Sequence, residues 1–262
     1  MSELATGTPA HLPTRGPSKG RVTLVHLYPR EMSIYGDLGN TRALASRLRW
    51  HGYDVEVVGH APGDPWRDDV HLVMGGGGQD SGQARVEDDL ARIGDRLTAL
   101  AADGCPMLAI CGMYQLFGNA FVTVEGQRLP GLGILDVTTT GNAKRMIGGI
   151  VLDTPFGEVV GFENHSGSTV LGPQQQPFGQ VRAGQGNNGT DGTEGAITGH
   201  VVGTYLHGPV LPANPALADA LVGWAAERAT GRAFEPTAID DAYADHARTR
   251  QVRRLVAGTR RR

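Results

Sequence analysis

Cysteine is nearly absent: Cys105 and Cys111 are the only two in 262 residues, one at each end of a single apolar stretch. Two such residues make neither a disulfide framework nor a metal knuckle. Lysine is as rare, with Lys19 and Lys144 alone, and arginine carries the remaining positive charge, a usage that genome composition can produce without any function. No apolar run approaches the roughly 20 residues that cross a bilayer. The first twenty residues lack the apolar centre of a signal peptide, so the chain reads as cytoplasmic. A net charge of −3 gives no bulk attraction to nucleic acid. What abounds is glycine, 39 residues, about twice the usual share and a sign of many tight turns. The length suits one large domain or two small ones and can bury a sizeable core.

The first half alternates strand and helix patterns. Arg21–Tyr28 reads as a strand and Pro29–Gly36 as a loop. Asp37 is placed to cap a helix from Leu38 to His51, which Gly52 ends. Asp54–Val58 and Val70–Met74 are the next strands, the second running into Gly75-Gly76-Gly77-Gly78. A helix over Gln83–Ala102 carries Val86, Leu90, Ile93, Leu97 and Leu100 on one face, and Gly104 closes it. Pro106–Ile110 is an apolar run of strand length ending at Cys111. This order predicts a three-layer α/β fold with a parallel sheet, flavodoxin-like or Rossmann-like, and ligands beyond the C-terminal strand ends.

After Ala120 the pattern shortens. Val122–Val124, Gly133–Thr139, Met146–Leu152 and Glu158–Phe162 are strand candidates, and Gly172–Gly195 reads as a loop or ragged hairpin. Ala196–Leu206 is a strand pair turning near Gly199-His200. Asn214–Ala229 and Ala238–Val256 are helices. Residues 1–20 form an N-terminal extension, 21–230 the main domain, and 231–262 a C-terminal helix with a basic tail, Arg248–Arg262 holding seven arginines. A solvated end is a better reading of that tail than an RNA arm.

The chemistry centres on Met107-Leu108-Ala109-Ile110-Cys111-Gly112-Met113-Tyr114-Gln115. A cysteine at a strand end, before a glycine and a helix, is placed as a nucleophile, because free N–H groups there favour a thiolate. A small buried residue at a strand end is an equal reading of this stretch. Of nine histidines, His207 stands out by ending the apolar strand Val201–Leu206, at the same edge as Cys111; His165 is second. Backbone N–H groups of Gly76 or Gly77, with that of Gly112, suit an oxyanion hole. A phosphate loop is disfavoured, since no Gly-Lys-Ser/Thr follows the glycines, and no GxGxxG spacing occurs.

Taken together, Cys111-Gly112 with Gln115, the preceding glycine turn and Tyr205-Leu206-His207-Gly208 resemble class I glutamine amidotransferases of the cobyric-acid-synthase-like branch. The likeness is greatest to the GatD type of amidase subunit, found in lipid II isoglutaminyl synthases. The matching stretches are Leu27-Tyr28-Pro29 with Tyr35-Gly36-Asp37-Leu38-Gly39-Asn40, Gly75–Asp80, Ala109–Gln115, Gly161–Gly167 and Gly203–Pro209. The resemblance covers roughly residues 20 to 230. It implies Cys111 as nucleophile, His207 as base, Gly77 and Gly112 as oxyanion donors, and Arg145 on the α-carboxylate of L-glutamine. Gln115 is a substrate contact or a packing residue. It also implies no metal and no cofactor in this chain, with ATP and Mg on a MurT-like partner of the Mur-ligase family that amidates the D-glutamate of lipid II. Two other roles stay open: the amidase component of another, cobyric-acid-type synthase, and a non-catalytic binding module. In one respect the chain departs from the class. Many members carry a Glu two residues after the histidine, and here that position is Pro209. The acid that orients His207 is then Glu163, Asp80 or a carboxylate of the partner; in the last case the isolated chain is a poor glutaminase.

Overall fold

The computed structural model describes residues 17–259. The first strand, β1 (Arg21–Leu27), is followed by α1 (Leu38–Trp50), β2 (Asp54–His60), β3 (Leu72–Gly75), α2 (Asp80–Ala102), β4 (Met107–Ile110) and α3 (Gly112–Phe117). A second region holds β5 (Ala120–Val122), β6 (Arg128–Pro130), β7 (Val137–Thr154), β8 (Gly157–Leu171), β9 (Gly179–Ala183) and β10 (Thr193–Glu194). The chain then returns through β11 (Ala196–Thr198), β12 (Val201–Thr204), β13 (Leu206–His207), α4 (Val210–Ala213), α5 (Pro215–Thr230) and α6 (Ala242–Thr259).

The main sheet runs β11-β12-β4-β3-β1-β2, parallel except for β11. Its four inner strands β12, β4, β3 and β1 are buried nearly throughout, which is why they read as continuous apolar runs rather than alternating ones. From β1 the chain crosses to β2 on one side; from β3 it crosses to β4 on the other. Right-handed crossovers then place α1 and α2 on opposite faces, giving three layers. The order reverses between β1 and β3, and the crevice above that point is where such sheets bind ligands. The loop after β1, the glycine turn after β3 and the Cys111 elbow after β4 all open into it.

The second sheet is where short predicted strands merge. The candidates at Gly133–Thr139 and Met146–Leu152 lie on one 18-residue strand, β7, which pairs with the 15-residue β8 in a long antiparallel hairpin. The register breaks between Gly141 and Met146, so the residues between the two candidates are a bulge inside one strand. The stretch 172–195 also carries strands, β9 and β10, and α6 begins at Ala242 rather than Ala238. Leu206 and His207 pair with Glu163 and Phe162, so the chain passes from the first sheet to the second within Tyr205. No described helix is long and apolar enough to cross a membrane.

Candidate active site

Cys111 stands at the end of β4 with φ 51° and ψ −106°, a conformation that L-residues avoid. Such a backbone costs about 1–3 kcal/mol and persists only where its surroundings enforce it. Here its N–H donates to Thr204 O at 2.8 Å, and its carbonyl accepts the Gln115 N–H at 3.0 Å. The side chain remains 7% exposed, at a cavity of about 380 Å3.

His207 reaches the same place from β13. Its Nδ1 donates to Asp37 Oδ1 at 3.1 Å, and both side chains are fully buried. No hydrogen bond of ordinary geometry closes on Nε2 among the described residues, yet the Cys111 thiol is near enough to act on the ring. Burial alone would lower the pKa of this histidine. Hydrogen bonding and charge from Asp37 and Cys111 overcome it and push the imidazole up to about 10. The Tyr35 ring closes the outer side, edge-on to His207 at 4.9 Å.

Asp37 is the acid that spacing rules do not reveal. It precedes α1 but makes no side-chain cap bond. Its Oδ2 instead accepts the Gly77 N–H at 2.7 Å, which aims Oδ1 at His207. Glu163 is engaged elsewhere: its two oxygens accept the N–H groups of Gln185 and Gly186, each at 2.8 Å. The side chain of Asp80 lies outside the described residues. Pro209 precedes α4 and packs against α1, where a Cβ on Gly39 would come within 2.5 Å of its ring.

The glycine turn differs in one detail from the sequence reading. Because the Gly77 N–H is spent on Asp37, it is not a free oxyanion donor. Gly77 is needed for space: a Cβ there would sit 2.7 Å from His207 Cε1 and 3.2 Å from the Cys111 Cβ. The Gly78 nitrogen lies beside Gly112, 3.0 Å from where a Gly112 Cβ would be.

The cavity is lined by Cys111, Gly78, Gln115, Arg145, Asn164 and His165 among others. Arg145 projects from the β7 bulge. Its Nε and Nη2 donate to Asn164 at 2.9–3.1 Å, which orients the guanidinium and leaves Nη1 without a partner among the described residues. Gln115 is buried, with its oxygen accepting from Gln83 at 2.9 Å and one N–H donating to the Tyr205 hydroxyl at 3.2 Å. That leaves it a single N–H to offer a ligand. His165 stacks flat on Tyr205 at 3.6 Å and lines the same cavity as Cys111; burial drives its pKa down to about 4, with the charge of His207 adding to the fall, so it is neutral. Among the described residues no group of three or more His, Cys, Asp or Glu side chains is arranged to hold a metal.

A thiol, a buried histidine charged by an aspartate, and glycine N–H groups at one crevice make an acyl-transfer site. Residues 23–215 match the CobB/CobQ-like glutamine amidotransferase domain family. The chain belongs to that family. This amidotransferase is 39% identical to the GatD subunit of the lipid II isoglutaminyl synthase (glutamine-hydrolyzing) of Staphylococcus aureus, over 84% of this chain and 90% of that one. The Streptococcus pneumoniae subunit of the same name is 36% identical over 84% and 86%. A cobyric acid synthase of Pelotomaculum thermopropionicum is 37% identical, but across only 49% of this chain and 27% of its own. Among solved structures, a glutamine amidotransferase superposes with TM-score 0.54 at 16% identity, over 77% of this chain and 98% of that one. PurLQS from Thermotoga maritima superposes with TM-score 0.50 at 20% identity, over 80% and 97%. These two likenesses speak for the fold alone.

Proposed function

We propose that the chain is the glutamine-hydrolysing subunit of a lipid II isoglutaminyl synthase. The observation that carries this reading is the 39% identity to the Staphylococcus aureus GatD subunit over nearly the whole of both chains. The cobyric-acid-type alternative is supported over only a quarter or so of those longer enzymes, 27% in the example above. An intact thiol and histidine at one crevice count against a non-catalytic binding module.

The site gives the chemistry. The Cys111 thiolate, paired with the protonated His207, attacks the side-chain carbonyl of L-glutamine. The N–H groups of Gly78 and Gly112 receive the oxyanion. His207 hands its proton to the departing ammonia, leaving a γ-glutamyl thioester on Cys111. It next takes a proton from water, which attacks the thioester and releases glutamate. Asp37 keeps the imidazole in the tautomer and orientation that both steps need. Arg145, braced by Asn164, offers Nη1 and part of Nη2 to the α-carboxylate. Ammonia passes to a MurT-like partner of the Mur-ligase family, which supplies ATP, Mg and the activated D-glutamate carboxylate of lipid II.

The test is reconstitution with amide-15N glutamine, the partner ligase, ATP, Mg and lipid II. The expected result is 15N in the isoglutamine of lipid II, lost with Cys111→Ser. Label in a corrinoid acid instead, with none in lipid II, overturns the acceptor assignment.

A further inference from the structure

One buried carboxylate at the site has no part in the mechanism above. Glu194, the last residue of β10, is completely enclosed. Its Oε1 accepts the Tyr205 N–H at 2.7 Å, and its two oxygens take the Thr204 hydroxyl at 2.9 and 3.1 Å. The Thr204 hydroxyl in turn accepts the Leu206 N–H at 3.1 Å. These donors belong to the corner where the chain leaves the first sheet for the second. Neither sheet supplies acceptors there, because the pairing with β4 ends at Thr204 and the pairing with β8 begins at Leu206. A carboxylate is compact and accepts several hydrogen bonds, so it fits a corner of converging donors.

The corner matters because both halves of the catalytic pair hang from it. Thr204 O accepts the Cys111 N–H at 2.8 Å, a bond that helps hold the strained φ of 51°. His207 follows two residues after Tyr205, and the Tyr205 hydroxyl ties back to Gln115 and Thr169 beside the cavity. A shift of the corner therefore changes the distance between sulfur and imidazole.

We propose that Glu194 is a positioning residue of the amidotransferase, its carboxylate pinning the Thr204–Tyr205 corner so that Cys111 and His207 meet. The proposal rests on the reading of Cys111 and His207 given above. Burying a carboxyl group costs free energy unless its oxygens are hydrogen-bonded, and an apolar side chain would be the cheaper filling if packing were its only task. The cost is visible: burial pushes the Glu194 pKa up to about 8 against the pull of Tyr205 and Thr204, with the charge of Glu163 adding to the rise and that of His207 opposing it. Those two groups, with the Tyr114 hydroxyl, are the titratable neighbours that Glu194 acts on or feels. Since the imidazolium favours ionised Glu194, ionised Glu194 favours the imidazolium by the same amount.

The experiment uses the full chain with two readouts. The first is glutamine hydrolysis. Glu194→Ala is expected to lower kcat at least tenfold with KM for glutamine within twofold. Glu194→Gln, which keeps one acceptor and one donor at the corner, is expected to recover most of kcat at pH 7. The second is the rate of Cys111 alkylation by iodoacetamide against pH, which needs no turnover. Cys105 is silent in it, because burial pushes that thiol up to about 12. The wild-type profile is expected to show an inflection near pH 8 that Glu194→Gln lacks. Wild-type kcat in a folded Glu194→Ala protein, or an unchanged inflection in Glu194→Gln, would overturn the proposal. If glutamine is not hydrolysed at all but the inflection is present and disappears with Gln, the functional reading fails and the positioning role of Glu194 stands.

Discussion

At the scale of single residues, the charge on His207 is set by Asp37. The imidazole is held up to about 10, mainly by overcoming burial through its bond to Asp37 and its proximity to Cys111. A raised folded-state value contributes stability that is complete below about 6.5, the ordinary histidine value, and is lost as pH rises through about 10. Asp37→Asn removes the charge, so the alkaline loss of glutaminase activity is expected to move toward neutral pH. The kcat is expected to fall by up to about 10⁴-fold, the size of the effect when the equivalent acid is neutralised in a serine-protease triad. A pH–rate profile of the variant checks both. Arg145→Ala is expected to raise KM for glutamine by one to two orders of magnitude, the effect of losing about 1.5–3 kcal/mol of charge-assisted bonding, with kcat less affected. Cys111 and His207 stand out in the sequence because a strand end next to glycine is a local signal. Asp37 was not legible as an acid: it lies 170 residues from His207, and its place before α1 suits the ordinary work of a helix cap.

At the scale of elements, the loops after β1, β3 and β4 are cut to let side chains meet. Gly77→Ala is expected to abolish hydrolysis with little change in secondary structure. Its Cβ would enter the space of His207 Cε1 at 2.7 Å, which circular dichroism and a turnover assay together can show. A second tie joins α1, α5 and the segment before α6. Buried Arg47 bonds both Asp219 and Asp241, the latter at 2.8 Å. Arg47→Ala removes the cation the two carboxylates share, leaving Asp219 its contact with His51 at 3.0 Å, and is expected to cost about 3 kcal/mol in denaturant unfolding, at the low end for buried pairs because both aspartates are partly exposed. The alternating first half was legible because its periodicity is strong and its strands are doubly buried. The second sheet was less so. The β7 bulge around Asn142–Arg145 interrupts the pattern with polar residues, so one long strand reads as two short ones.

At the scale of the whole molecule, the order reversal between β1 and β3 collects three loops into one crevice, and β13 delivers His207 to it from the far end of the chain. The sheet class and the crevice could be inferred from element order alone; the passage of the chain from one sheet to the other at Tyr205 could not, since nothing local distinguishes that residue from the strand around it. Cys111, His207 and Asp37 all belong to this chain, so on the function proposed above the imidazole needs no carboxylate from a partner to orient it. The isolated chain is therefore expected to hydrolyse glutamine, and the partner to add capture of ammonia rather than the missing acid. The most direct test is ammonia release from L-glutamine by the purified chain alone, compared among wild type, Cys111→Ser and Asp37→Asn. Steady turnover is expected from the wild type, none from Cys111→Ser and a loss of several orders of magnitude in Asp37→Asn. Wild-type rates in Asp37→Asn, or turnover that begins only when the partner ligase is added, would contradict a catalytic site complete within this chain.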